Sequence, residues 1–235
     1  MSTAVVKIQD PSTLPAVLTE FDLNQPRPTL ALVGGASKLS TADYARIQSL
    51  FTTVLAPLAE QHSLYVVDGG TDAGVMKMMG EARAAISGQF PLIGVAPSGL
   101  VDLPNEPSPA TDAATLEPHH THCLLVPGSE WGDESPWLAE TATQLAQNCA
   151  SAVVLVNGGQ VTWKDAQSHV DAQRPVVVIQ GSGRTADIIA AALRGEPVQD
   201  ERARPLVASG LLRTVDLNAP QHELTQLLES LLRSH

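Results

Sequence analysis

Short apolar runs rich in β-branched residues recur along this chain, and four of them stop at glycine. Thr29 to Val33 stops at Gly34-Gly35, and Leu64 to Val67 at Asp68-Gly69-Gly70. Ala152 to Val156 stops at Asn157-Gly158-Gly159, and Pro175 to Ile179 at Gly181-Ser182-Gly183. Pro91 to Ala96, His122 to Val126 and Leu211 to Val215 have the same character. Between the runs lie segments of helical length: Ser40 or Thr41 to about His62, Thr71 to Ile86, Ser135 to Ala150, about 161–172, Arg184 to Leu193 and Gln221 to Arg233. Pro136 is tolerated in the first turn of its helix. Continuous rather than alternating apolar runs are strands buried on both faces, which need helices on both sides. The expected fold is therefore α/β and Rossmann-like: a mostly parallel sheet with helices on both faces and right-handed crossovers.

Residues 1–28 read as an N-terminal arm. It holds a short strand, Val5 to Ile8, and then Pro11, Pro15, Pro26 and Pro28, which fit an edge element better than a central one. Residues 29–235 read as a single domain, long enough to bury a core of normal size. The segment 98–118 reads as a loop, interrupted by Gly99, Pro104, Pro107, Pro109 and Pro118. A loop of that length is either functional or a plain surface excursion.

The formal net charge is −11, so the average field repels a polyanion and nucleic acid is not an expected partner. Aromatic residues make up only 3 %, too few for a stacking platform along a single strand. A small anion remains compatible, because backbone N–H groups and one arginine act locally. Cys123 and Cys149 read as reduced, small apolar residues, with no metal-ligand spacing around them. The first ten residues lack a basic start and an apolar stretch, so no secretory signal is expected. No run approaches the roughly 18 apolar residues of a membrane span. The expected location is cytoplasmic.

In an open parallel sheet the ligand crevice lies at the carboxyl ends of the strands. Glycine there admits close approach and positive φ, and the next helix aims its free N–H groups and positive dipole end at the same place. Four glycine turns along one edge point to a phosphate-bearing ligand. In Gly181-Ser182-Gly183-Arg184, the serine hydroxyl and the following amides can hold a phosphate, with the guanidinium as a second clamp. Asp187 caps that helix or orients Arg184. In Val67-Asp68-Gly69-Gly70-Thr71-Asp72-Ala73-Gly74-Val75-Met76, a hydroxyl and a carboxylate cap a helix. Gly74, beside Val75, marks close approach by a ligand or tight packing, since a glycine inside a helix costs about 1 kcal/mol. His120 and His122 share a face if extended; ligand contact, structural hydrogen bonding and metal ligation are all open, though no third metal ligand has an obvious spacing. Glu134 caps a helix, acts as a base or accepts from a ribose hydroxyl. Leu224, Leu227, Leu228, Leu231 and Leu232 form a stripe that is either core or a contact surface, so a homo-oligomer is an open expectation.

Read in order, Gly34-Gly35-Ala36, Asp68-Gly69-Gly70-Thr71 with Gly74-Val75-Met76, Ile93-Gly94-Val95-Ala96-Pro97, His120-Thr121-His122 and Gly181 to Asp187 resemble the SLOG superfamily. The branch they resemble (LSDAT) occurs at the cytosolic N-terminus of melastatin-type TRP channels and in stand-alone prokaryotic proteins. The resemblance covers about residues 29–193. It implies a Rossmann-like fold and a binding or sensing module for ADP-ribose or a related NAD-derived nucleotide, with no further cofactor. The ligand-binding residues it implies, together with the glycine turns, are Gly34, Gly35, Ala36, Asp68, Gly69, Gly70, Thr71, Gly74, Val75, Pro97, His120, His122, Asn157, Gly158, Gly159, Gly181, Ser182, Gly183, Arg184 and Asp187. Another branch, the phosphoribohydrolases, carries P-G-G-x-G-T-x-x-E. Here the matching stretch runs from Asn157 to Asp165. Gly158, Gly159 and Thr162 are kept, while Asn157, Val161 and Asp165 replace the proline, the third glycine and the glutamate. A valine resists positive φ, and the shorter Asp165 moves its carboxylate. The expectation is a binding module first, with no catalytic residue assigned and a nucleotide N-glycosidase as the alternative.

Overall fold

A computed structural model describes residues 3–35, 40–103 and 105–233. Eight strands form one sheet in the order β1-β7-β4-β3-β2-β8-β9-β10, and every pairing is parallel. They are β1 (Ala4–Lys7), β2 (Thr29–Gly34), β3 (Tyr65–Asp68), β4 (Leu92–Pro97), β7 (His122–Val126), β8 (Ser151–Val156), β9 (Val176–Gln180) and β10 (Leu212–Asp216). The fold is α/β and Rossmann-like, as expected. Side-chain alternation within the strands fills two layers: Leu30 and Leu32 of β2 face one core, Ala31 and Val33 the other. One face is covered by α2 (Thr41–Leu50), a π turn (Phe51–Leu55), α3 (Ala56–Gln61), α4 (Gly74–Ala85) and α9 (Gln221–Leu232). The other is covered by α1 (Leu14–Glu20), α5 (Ser135–Ala146), α6 (Gln160–Asp171), α7 (Arg184–Leu193) and α8 (Ala203–Ala208). In α9, Leu224, Leu228 and Leu232 are buried, and Leu227 and Leu231 pack against the same core.

Several details differ from the sequence-based expectation. The helix placed at Thr71 begins at Gly74, whose φ of +53° is the reason for a glycine there. The helix placed to Ala150 ends at Ala146, and Gln147 takes a φ of +48°. The segment 98–118 holds a second parallel pair, β5 (Val101–Asp102) with β6 (Ala114–Thr115). Its return arm lies along the turn after β3: the Asp72 amide donates to the Thr115 carbonyl and the Glu117 amide to the Gly70 carbonyl. The N-terminal segment supplies an edge strand, and Leu14 and Leu18 of α1 are buried. Among the described residues no helix is long and apolar enough to cross a membrane.

Candidate functional site

The chain leaves β2 toward β3, β4 and β7, then returns on the other side through β8, β9 and β10. Such a reversal opens a crevice outside the carboxyl ends of the two central strands, here β2 and β8. Gly34, with φ +131°, closes β2 against β8, and a Cβ there would run into the Val156 carbonyl. The Gly35 amide donates to that same carbonyl at 3.1 Å. A cavity of about 350 Å³ lies in the crevice, within the usual size range for small-molecule sites. Gly34, Gly69 and Thr71 line it, as do Glu134 and three residues of α6, Val161, Thr162 and Asp165. Asp112 and Ala114 bring the 98–118 segment to its wall.

Three carboxyl-bearing residues line this cavity, Asp112, Glu134 and Asp165, and the last two are buried. Asp165 is buried, and desolvation pushes it up to about 7, against the opposing effect of the Ser135 hydroxyl, which donates to Oδ1 at 2.6 Å. Desolvation also raises Glu134, although the Gly132 amide donates to its Oε2 at 2.7 Å. Glu134 thus receives a bond from the turn before α5 and makes no side-chain cap of that helix. Val161 sits in the first turn of α6, so the missing third glycine imposes no strain.

The other glycine turns meet at the ends of β8 and β9. Asn157 takes a φ of +53°, and its side chain donates to the Ser182 carbonyl at 2.7 Å and accepts from the Gly158 amide. Ser182 is buried; its hydroxyl accepts from the Asn157 amide and donates to the Ile179 carbonyl. That hydroxyl therefore ties the two turns together. The Asp187 carboxylate accepts from the Gly181 amide at 2.6 Å, which fixes the turn that precedes α7. The exposed Arg184 lays its guanidinium over Gly159, where a Cβ would stand 3.1 Å from Nη2. The Thr162 hydroxyl accepts from the Gly159 amide and closes the start of α6.

A buried charged cluster stands under the turn after β3. His120 Nε2 lies 2.8 Å from Asp68 Oδ1, and Nδ1 lies 2.7 Å from Glu117 Oε2. Desolvation works against the charged ring, but the two carboxylates outweigh it and hold His120 at about 9, so both ring N–H groups donate at neutral pH. The Gly70 amide donates to Asp68 Oδ1 as well, while Asp68 Oδ2 is buried without a partner among the described residues. Gly80 of α4 leaves the space that the Glu117 carboxylate fills. His122 goes elsewhere: its ring packs at 4.8 Å from Phe21, and Nδ1 meets the Thr121 hydroxyl. The two histidines do not share a partner.

Of the residues expected from sequence, Gly34, Gly69 and Thr71 reach the cavity wall. Asp68, Gly70 and His120 support the wall from below. Asn157, Gly158, Gly159 and Gly181 to Arg184, with Asp187, form the neighbouring turn cluster. Gly74 starts α4, Val75 is in the core and Pro97 ends β4; Ala36 lies outside the described residues. Glu117, Ser135 and Lys164 were not anticipated. An acidic residue three positions before His120 was the available signal for the first; nothing local marks the other two. Among the described residues, no group of three or more His, Cys, Asp or Glu is arranged for a metal ion.

Comparison with known proteins places these features in a family. A family model described as "SLOG in TRPM, prokaryote" matches residues 27–226. The chain is 27 % identical over 210 residues to transient receptor potential cation channel subfamily M member-like 2 of Nematostella vectensis, which covers 74 % of the chain. It is 26 % identical over 205 residues to subfamily M member 2 of Mus musculus, covering 72 %. The matches span only 13 % and 14 % of those channels. The X-ray structure of TM1055, a structural-genomics target, superposes with a TM-score of 0.55 at 17 % identity, over 86 % of this chain and 99 % of that one.

Proposed function

Since the chain belongs to the prokaryotic form of the SLOG family found in TRPM channels, we propose that it is a binding module for ADP-ribose or a related NAD-derived nucleotide. The observation that carries this reading is the crevice cavity at the reversal of strand order, with the buried carboxyl groups of Glu134 and Asp165 and that of Asp112 on its wall. Glu134 and Asp165 can accept from ribose hydroxyls. Arg184, beside the Gly158-Gly159 turn, offers a guanidinium to phosphate. Thermal shift with ADP-ribose, its cyclic isomers, NAD and AMP tests it. A ligand at 100 times its Kd stabilises by about 2.7 kcal/mol, and no shift with any of them at millimolar concentration would reject the reading. Arg184→Ala is expected to weaken binding.

One observation favours a second reading, hydrolysis of a nucleotide N-glycosidic bond. Asp165 occupies the position of the phosphoribohydrolase glutamate and is held at about 7, where a carboxyl can give or take a proton near neutrality. In that reaction the C1′–N bond breaks, the base leaves with a proton and water adds to C1′. Release of base or ribose phosphate from ADP-ribose or nucleoside monophosphates, lost in Asp165→Asn or Glu134→Gln, supports it; turnover that survives both substitutions removes these residues from the chemistry.

A further inference from the structure

A second cavity, of about 810 Å³, lies between the segment before α5, helix α6 and the start of α8. Trp131 and Val161 line both this groove and the crevice cavity, so the two share a wall. Two of the chain's three tryptophans are here. Trp163 is buried under the Arg202 guanidinium, 4.8 Å from its ring centroid. Asp200 and Gln160 hold Arg202 in that place. Trp131 is partly exposed and is the indole a ligand can meet.

Charge separates the two cavities. The crevice wall carries Glu134 and Asp165, which suit sugar hydroxyls and repel phosphate when ionised. The groove carries Lys164, which is exposed and makes no hydrogen bond or ion pair among the described residues. Its stem lies over Gly132, whose φ of +101° and missing Cβ leave room for it. Asp133 is also in the lining, with its carboxylate held by the Ser129 and Glu130 amides. An aromatic wall beside a cation without a partner is the chemistry that receives a base and its phosphate.

We propose that the groove is a second subsite, which takes the purine and adjoining phosphate of a dinucleotide whose distal ribose lies in the crevice. The inference rests on the nucleotide-binding reading and adds to it a direction and a divider, Trp131. The phosphates then lie by the first turns of α6, between Arg184 at Gly159 and Lys164 at Gly132.

Calorimetry on the full chain with AMP, ribose 5-phosphate and ADP-ribose tests it. AMP and ribose 5-phosphate are expected to bind together, and ADP-ribose to displace both. Lys164→Ala is expected to weaken AMP and ADP-ribose about tenfold and leave ribose 5-phosphate unchanged, with Lys164→Arg restoring most of the loss. AMP should quench tryptophan emission, less so in Trp131→Phe. Competition between AMP and ribose 5-phosphate, or unchanged AMP and ADP-ribose affinity in Lys164→Ala, overturns the second subsite and leaves the crevice reading standing. Binding of none of the three by the unaltered chain overturns the nucleotide reading, and the subsite with it.

Discussion

Asp165 is a carboxyl kept from bulk water yet left on a cavity wall, and that combination has a cost that depends on pH. Its folded value of about 7 stands above its ordinary 3.8 because burial disfavours the anion. A raised folded pKa means that the folded state holds the proton longer. Its contribution is fully favourable below about 3.8 and is lost as pH rises toward 7. Asp165→Asn keeps an oxygen for the Ser135 hydroxyl and removes the ionisation. The variant should melt like the parent at pH 4 and be more stable at pH 8 by about 2–4 kcal/mol, or roughly 5–10 °C in Tm for a chain of this size. Equal melting at both values would show that the site accommodates the anion. His169 works in the opposite sense. Burial and the Arg174 guanidinium, whose Nη1 lies 2.6 Å from Nδ1, keep it well below 6.5. It contributes stability above pH 6.5 that is lost on acidification. His169→Gln should flatten the acid limb of a pH–stability curve measured by urea unfolding. The role of Asp165 was partly legible, since it fell on a recognisable motif; its depth and its bond to a serine 30 positions earlier were not, because both are properties of two helices packing.

At the scale of elements, His120 joins the end of β3 to the return arm of the 98–118 segment. Charged at neutral pH, it separates Asp68 from Glu117, two buried carboxylates. Breaking a buried charged group by removing one partner costs about 3–5 kcal/mol. His120→Gln should therefore destabilise the chain by an amount of that order, with hydrogen exchange rising first in residues 98–118. The same segment should loosen in the unaltered chain as pH rises through about 9, since a histidine with a raised folded pKa loses its contribution there. Gly80→Ala makes a separate test: its Cβ would occupy the space of the Glu117 carboxylate, so the loss should resemble that of His120→Gln although residue 80 is in a different element. Unchanged exchange in 98–118 for both variants would mean that β5 and β6 hold the segment unaided. The strands around this cluster were legible because each is a continuous apolar run. The cluster was not, since Asp68 and His120 are 52 positions apart. Helices α1 and α8 escaped detection because each is short and carries a proline, Pro15 and Pro205, and β5 and β6 have only two residues each.

For the molecule as a whole, the question left by sequence is whether residues 29–235 stand alone without the arm. Strand β1 pairs in register with β7, from Ala4 beside His122 to Lys7 beside Leu125, and the Ile8 amide donates to the Leu125 carbonyl at 2.9 Å. Ile8, Leu14, Leu18 and Leu23 are all buried in the core that α5 and α6 share. Burial of an aliphatic side chain contributes about 1.5–3 kcal/mol, so these four amount to about 6–12 kcal/mol, an upper bound given the compactness of real unfolded chains. Total stability is typically about 5–15 kcal/mol. A chain starting at Thr29 would lose most of that margin. It would also expose the apolar face under α1 and leave the β7 edge unpaired, and open edges recruit other chains. The truncated chain is expected to be insoluble, or to associate and melt far below the parent, in light scattering and thermal denaturation. A monomeric product with an unchanged Tm would show that the arm is dispensable and that the core is complete from β2 onward. The crevice itself draws on β2 and the turn after β3, with α4, α5 and α6, and α1 packs on α5. Where a truncated chain stays folded, its affinity for nucleotide should fall through Glu134 at the start of α5, although no described residue of the arm lines the cavity.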